Sequence, residues 1–538
     1  MKTEVILAVV LIASTASAQP RHRRAQPEVA QKDDQSNKGD KEPGDGPEAQ
    51  SALTVTIDSV IEVAVRLAPN LAKAKVDRIV ALDDAAYSRR NQVWTVTSHA
   101  EYDRQSVADH VDVAPFQQVG TDKVSGGIGL TKNLPTGANL VLGVDLNHQT
   151  SEYNIPQPLY QSAMGSGVGS DSQGPYEYNT QSQTILKAQL TQPLGRGFGA
   201  DVALSDEHKA DLQATEATVK AQLAAEKMVH DIVQAYWDLA YQAYQVEILT
   251  KAVELAQQQE QTTHEQIRAG TVSVTQLDSV QYEIATNQEK LLKAQLELEQ
   301  KSLELRQMSG LEMGRRDIVL RPGEPFVVGQ DEFNVDEVLA RARQVNRQLA
   351  TNLLDKKIAD VDMKLAQDQV KPKLDLSLMG SVTGQGEDIG TSVGGNDAFE
   401  VMIQLKMEFE VSGAARKKRD GAEAKKHSLD IDRADLERQI DVKVVTAVKQ
   451  VTSDKTRVAL EEKAIQNAED NVRTARANFM IGKASNFEVM QAQERLIDAR
   501  ITQGDAIADY HKAVAELQYQ SGIILDQYHV NVRAPRSE

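Results

Sequence analysis

Residues 267–285 read IRAGTVSVTQLDSVQYEIA, and residues 479–497 read FMIGKASNFEVMQAQERLI. The two stretches are one segment written twice, 212 positions apart and without a gap, within a longer correspondence between 232–310 and 444–522. Gly270 falls on Gly482, Ser273 on Ser485, Gln281 on Gln493, Leu305 on Leu517, and Ser309-Gly310 on Ser521-Gly522. An apolar seam runs through both copies with a spacing of seven. Ile232, Leu239, Val246, Val253 and Ile267 correspond to Val444, Val451, Val458, Ile465 and Phe479, and only Glu260, opposite Val472, interrupts it. Beyond the glycine the seam continues as Leu277, Ile284, Leu291, Leu298 and Leu305. A heptad sustained this long predicts helices packed side by side, so each copy is a helical hairpin that turns near Gly270 or Gly482.

The rest of the chain repeats as well. With a shift of 278, Ile57-Asp58 falls on Val335-Asp336, Ala64 on Ala342 and Leu71 on Leu349. The helical pattern of 57–91 is therefore duplicated, with a break expected at Pro69, opposite Arg347. The period then changes from helix to strand. Trp94, Val96, Ser98, Ala100 and Tyr102 alternate with polar residues, as do Leu374, Leu376 and Leu378 after Pro372 in copy two. A second strand closes each copy, through Leu186, Ala188 and Leu190 in the first and Phe399 to Val411 in the second. The latter carries Glu400, Gln404, Lys406, Glu408 and Glu410 on its other face and has the ~9–11 residues of a bilayer-crossing strand.

Copy one holds an additional hairpin over 123–147, from Val124 to Leu130 and back from Leu140 to Leu146 about a Pro135-Thr136-Gly137 turn. It either adds strands to a barrel or extends outward from it. Gly- and Ser-rich stretches at 155–180 and 384–398 occupy equivalent points of the repeat, as loops on one side of a barrel would. Each copy then enters its longest helix, 205–268 or 414–480, on the order of 100 Å at ~1.5 Å per residue. The shorter helices, placed end to end, match one long helix.

The expected organisation is a signal peptide at 1–18, a disordered lead at 19–52, repeats at 53–310 and 334–524, a connector at 311–333 and a tail at 525–538. Lys2, the apolar run to Ala13 and Ala16-Ser17-Ala18 form the signal, and the lead carries the basic cluster Arg21–Arg24. Cysteine is absent, which excludes disulfides, thiolate metal sites and an acylated amino-terminal cysteine. A net charge of −18 argues against nucleic acid as a partner. No later stretch approaches the roughly 20 apolar residues of a spanning helix. The ten histidines are scattered, and no phosphate loop, zinc motif or nucleophile elbow occurs, so neither an enzyme nor a bound cofactor or metal is expected.

Four or six strands cannot close a channel alone, since the smallest membrane barrels need about eight, so the chain must oligomerise. From about Leu53 to Ile524 it resembles the TolC-type outer-membrane efflux proteins. The family's hairpin turn is similar to Gly482, Ser485, Glu488, Val489 and Met490, and to Arg268, Gly270, Ser273, Gln276 and Leu277 in copy one. Leu190-Thr191-Gln192-Pro193-Leu194 resembles its strand-to-helix junction. The resemblance implies an α+β membrane protein. It would be a homotrimer in the outer membrane, with a twelve-stranded barrel, four strands per chain, above a periplasmic helical tunnel. Its tip would dock on an adaptor of an inner-membrane pump through residues around Arg268, Gly270, Ser273, Gly482, Ser485 and Glu488. Glu469, Asp470 and Glu488 are candidates for an acidic ring at that tip. The competing expectation is a periplasmic coiled-coil adaptor or scaffold, which would not need lipid-length strands.

Overall fold

The computed structural model describes residues 52–106, 117–154, 176–311, 318–330 and 332–531. The signal peptide, nearly all of the lead with its basic cluster, and residues 532–538 of the tail lie outside them.

A six-stranded antiparallel sheet stands on a wall of long helices. The sheet comprises β2 (Thr95–Ser106), β3 (Gln117–Asn133), β4 (Asn139–Asn154), β5 (Tyr176–Pro193), β7 (Lys373–Gly386) and β8 (Asn396–Glu408), in that spatial order. The helices are α1 (Ile57–Leu67), α2 (Pro69–Ser88), α3 (Ser205–Arg268), α4 (Thr275–Ser309), α5 (Val335–Val345), α6 (Arg347–Gln369), α7 (Ala414–Met480) and α8 (Asn486–Gln520). Near the sheet the wall is α2, α3, α6 and α7; farther away it is α4, α3, α8 and α7. The long helices α3 and α7 run through both levels, and the predicted limits at 205–268 and 414–480 coincide with them.

The break expected at Pro69 separates α1 from α2, with Pro69 as the first residue of α2. Proline suits that position because its missing N–H has no intrahelical acceptor there. Copy two makes the same break differently. Asn346, which corresponds to Ala68, caps α6 by accepting hydrogen bonds from the backbone of Gln348 at 2.8 Å and Leu349 at 3.3 Å.

Several expectations need correction. Part of the connector is regular: β6 (Val319–Pro322) pairs in parallel with β1 (Ala52–Val55), whose first residue falls within the expected lead. Both strands have only four residues, too few for periodicity to register. They are held by Tyr236, whose hydroxyl donates to Val55 O at 3.2 Å and accepts from Gly323 N at 3.1 Å. The tail expected from residue 525 begins as a helical turn, Ile524–Gln527, whose Ile524 and Leu525 are buried in the core. Of the loop at 155–180, residues 155–175 lie outside the described part and the remainder belongs to β5; Gly384 and Gly386 belong to β7. β8 ends at Glu408, short of the expected Val411. The sheet has six strands where the resemblance implied four, because the additional hairpin is β3 and β4.

Two apolar cores lie at mid-height. One packs Ile57, Val60 and Ala64 against Val229, Ile232, Tyr236, Leu305 and Ile524; the other packs Ala342 and Leu349 against Ile440, Val444, Val448, Tyr510 and Leu517. The heptad seam is thus buried at this level, but Leu277, Ile284 and Leu291 of α4 are only half-buried. A wall one helix thick leaves those positions without a second layer.

Candidate channel wall and tip

The sheet has two unlike faces. Val96, Leu130, Leu142, Ala188, Gly380 and Val401 are directly opposed across all six strands. The next row is Ser98, Ile128, Val144, Leu186, Val382 and Phe399. Side chains alternate in a strand, so both rows lie on one face. Their large apolar members are exposed there, Phe399 by 83% and Val401 by 67%, which water would penalise and hydrocarbon would not. Trp94, just before β2, and Tyr102 within it flank this band, and Phe409 follows the end of β8, as aromatic girdles bracket the apolar belt of a membrane barrel.

The opposite face is polar. His99 and Asp145 come together over Gly127, and a Cβ at that glycine would collide with the Asp145 carboxylate. Lys187 Nζ lies 2.6 Å from Asp145 Oδ2 and its chain crosses Gly143, where a Cβ would meet Lys187 Cε at 2.7 Å. These glycines let charged side chains lie flat against the sheet. Both edge strands, β2 and β8, are exposed along their described lengths.

At the other end each hairpin reverses through a left-handed glycine. Gly270 has φ +74° and Gly482 φ +73°. The hydrogen bonding is the same in both copies: Gly270 N donates to Ile267 O and Thr271 N to Gln266 O, Gly482 N to Phe479 O and Lys483 N to Asn478 O. This closes a long helix with few orphaned carbonyls. Ser485 caps α8, its hydroxyl accepting from Glu488 N at 3.4 Å. Ser273, at the corresponding position, does not cap α4. The residue before α4 is Val274, in helical conformation and without a side-chain cap, while Ser273 contacts Thr275. Arg268 lies in the exposed last turn of α3.

Of the acidic candidates, Glu469 accepts from Arg500 at 2.8 Å and Asp470 pairs with Arg473 at 3.1 Å, while Glu488 belongs to the α8 cap. The first two are therefore partly neutralised within the chain.

Three further groups were missed in the sequence. Asn486 is 1% exposed; it accepts from Gln259 Nε2 at 2.6 Å and donates to Thr263 Oγ1 at 3.0 Å, joining α8 to α3 just above the turns. The seam's interruption at Glu260 was the signal, since the neighbouring Gln259 is buried instead. An ion-pair chain runs from Arg457 on α7 to Asp509 and Lys512 on α8, to Asp238 on α3 and to Lys301 on α4. Higher up, His230 Nε2 lies 2.7 Å from Glu516 Oε2 and Nδ1 lies 3.0 Å from Asp231 Oδ1. Burial opposes charge on His230, but the two carboxylates outweigh it and hold the imidazole above its ordinary pKa. The hydrogen bond from His230 in turn holds Glu516 below the usual carboxylate range. None of these pairs has a partner in sequence periodicity.

Among the described residues no cluster of potential ligands could hold a metal ion, and no helix is long and apolar enough to cross a membrane.

Residues 338–522 match the family model described as outer membrane efflux protein. No curated protein matches the chain in sequence. Among solved structures, the outer membrane protein VceC of Vibrio cholerae aligns with a TM-score of 0.62 at 16% identity, covering 87% of this chain and 96% of its own. The CmeC outer membrane channel of Campylobacter jejuni gives 0.63 at 12%, covering 87% and 85%. The open MtrE outer membrane channel of Neisseria gonorrhoeae gives 0.57 at 14%, covering 87% and 89%. The first is an outer membrane protein and the other two are outer membrane channels. The chain has the fold of the TolC-type outer-membrane efflux proteins, and its second repeat carries that family's sequence signature.

Proposed function

We propose that this chain is the outer-membrane channel-tunnel of a tripartite efflux or secretion assembly, conducting cargo passively while an inner-membrane pump supplies the energy. The observation that carries this reading is the apolar band crossing every strand of the sheet, on a structure whose other face is polar. A soluble protein has no use for so large an exposed patch, and a bilayer does.

Closure requires more copies of the chain. The two exposed sheet edges present unpaired backbone groups, which cannot remain so in lipid. The wall edges are apolar too, with Tyr282, Leu292 and Leu296 exposed on α4 and Ile431, Val442 and Leu460 on α7. In a homotrimer β2 of one copy would pair with β8 of the next, and α4 would pack on α7. The helices then line a periplasmic tunnel, with the turns at Gly270 and Gly482 at its far end. Adaptor contact falls on Arg268, Gly270, Ser273, Gly482, Ser485 and Glu488. Glu488, which accepts from the Ser485 hydroxyl at the start of α8, stands with Glu469 and Asp470 as a candidate for the acidic ring. A scaffold role, the competing reading, leaves the apolar band without an occupant.

The test is single-channel conductance of detergent-extracted protein in a planar bilayer, with oligomer mass measured on the same sample. Stable conducting steps from a trimer are expected. A water-soluble, non-conducting species would favour the scaffold.

A further inference from the structure

The sheet and the wall beneath it do not have the same number of elements. Four strands continue into four helices: β2 follows α2, β5 leads to α3, β7 follows α6 and β8 leads to α7. β3 and β4 stand between β2 and β5 with no helix below them.

Widths decide what this surplus does. Four helices at ~8–10 Å spacing give a wall of roughly 32–40 Å per copy. Six strands at ~4.8 Å, tilted by ~35–45°, subtend roughly 35–41 Å of barrel circumference. Four strands would subtend only about 23–27 Å on the same spacing and tilt. The six-stranded sheet therefore matches the arc of its own helical wall.

The hairpin is built into the sheet along most of its length. β3 pairs with β2 from Thr131 to Gly120, and β4 pairs with β5 from Asn139 to Asn154. Its turn is seated at the corner where β5 hands over to α3. Gly199 N donates to Thr136 O at 3.1 Å, and Thr136 Oγ1 donates to Gln192 Oε1 at 3.0 Å. Gly137, at φ +87°, approaches Gly197 O so closely that a Cβ would collide with it. The seat meets the glycine-rich corner at Gly197 and Gly199, while Gly195 lies against Pro372 O, which a Cβ there would strike.

We infer that the Gln117–Asn154 hairpin is barrel wall, contributing two strands per copy and setting the bore of the barrel to that of the tunnel below. This rests on the channel reading above. A trimer then has about eighteen strands, within the range that leaves an open aqueous channel. Cargo size is limited by the tunnel and its tip, and no narrowing occurs where the path enters the membrane.

Two measurements on the full-length protein test this, and the absence of native cysteine makes single-cysteine labelling clean. Fluorophores at Ile128→Cys and Val144→Cys are expected to be quenched by brominated lipid in phosphatidylcholine vesicles as strongly as one at Phe399→Cys. Escape from lipid quenching at the hairpin positions, with quenching kept at Phe399→Cys, overturns the inference and leaves the channel reading intact. Loss of quenching at all three would instead sink the channel. Secondly, deletion of residues 117–154 is expected to shrink the polymer-exclusion diameter measured from the extracellular side to about two-thirds, since diameter scales with strand number. An unchanged diameter overturns the inference. A deletion variant that fails to assemble leaves the decision to the quenching measurement.

Discussion

Gln259 donates a 2.6 Å hydrogen bond to Asn486, so the first residue of α8 is tied to α3 of the other repeat in a site closed to water. Asn486→Ala leaves the Gln259 carboxamide without that acceptor and Thr263 without its donor. Stranding buried polar groups costs about 1–3 kcal/mol. The expected outcome is a lower thermal midpoint and, because this contact holds the hairpins together near the turns, more frequent opening in single-channel records. A variant with unchanged gating would confine the contact to a stabilising role.

Gly482→Ala and Gly270→Ala are expected to destabilise the protein by about 1–2 kcal/mol each, the cost of a left-handed alanine. Neither glycine has an atom within 4 Å of a would-be Cβ, so strain rather than collision is measured. Asn at either position should recover part of the loss, because its side chain tolerates this conformation. Denaturation of Ala and Asn variants side by side checks the order.

Ile403→Arg places a charge in the exposed apolar band, where a lipid midplane penalises it by about 2–4 kcal/mol. Gln404→Arg, on the opposite face, should assemble normally. Heat-modifiable migration of both variants after extraction from membranes distinguishes them. Equal behaviour would mean that the band does not meet lipid.

The His230–Glu516 pair predicts a pH dependence. The folded protein raises the pKa of His230, so its contribution to stability is complete below the ordinary imidazole value of 6.5 and is lost as pH rises through the raised value. Glu516 is lowered, so its contribution holds above 4.5 and is lost as pH falls through the depressed value. The stability gap between wild type and His230→Gln should therefore be larger at pH 6 than at pH 9. A gap independent of pH would mean that the imidazole is not charged in the fold.

Cysteine placed at Ser485 or Ser273 offers a test of the adaptor reading. Photocrosslinkers attached there should capture a periplasmic partner in cells, whereas one at Arg343, far up the wall, should not.

Duplication made the helical part of this fold legible, because a seven-residue seam and two glycines recur at a fixed offset. The strands were legible where one face was uniformly apolar, as at Phe399–Met407. They were not where Thr, Ser and Gln fill both faces, as in the upper half of β5, whose order comes from pairing with β4 and β7. Paired β1 and β6 are separated by more than 260 residues and are joined through contacts distant in sequence, the Tyr236 hydroxyl among them. At the tip the turns were visible and the Gln259–Asn486 contact was not, since no local pattern announces which buried amide meets which.

The uninterrupted course of α3 and α7 also governs how such a protein can change length. Seven residues removed from α7 alone would leave one hairpin about 10 Å shorter than its neighbour at 1.5 Å per residue, a step in the rim. A viable change of height must therefore occur in both arms of both hairpins at once. The sheet is under no such rule, because a strand pair that leaves and returns on the same side alters girth without altering height. Lineages of this architecture can accordingly change circumference by pairs of strands, and reach only in concerted steps.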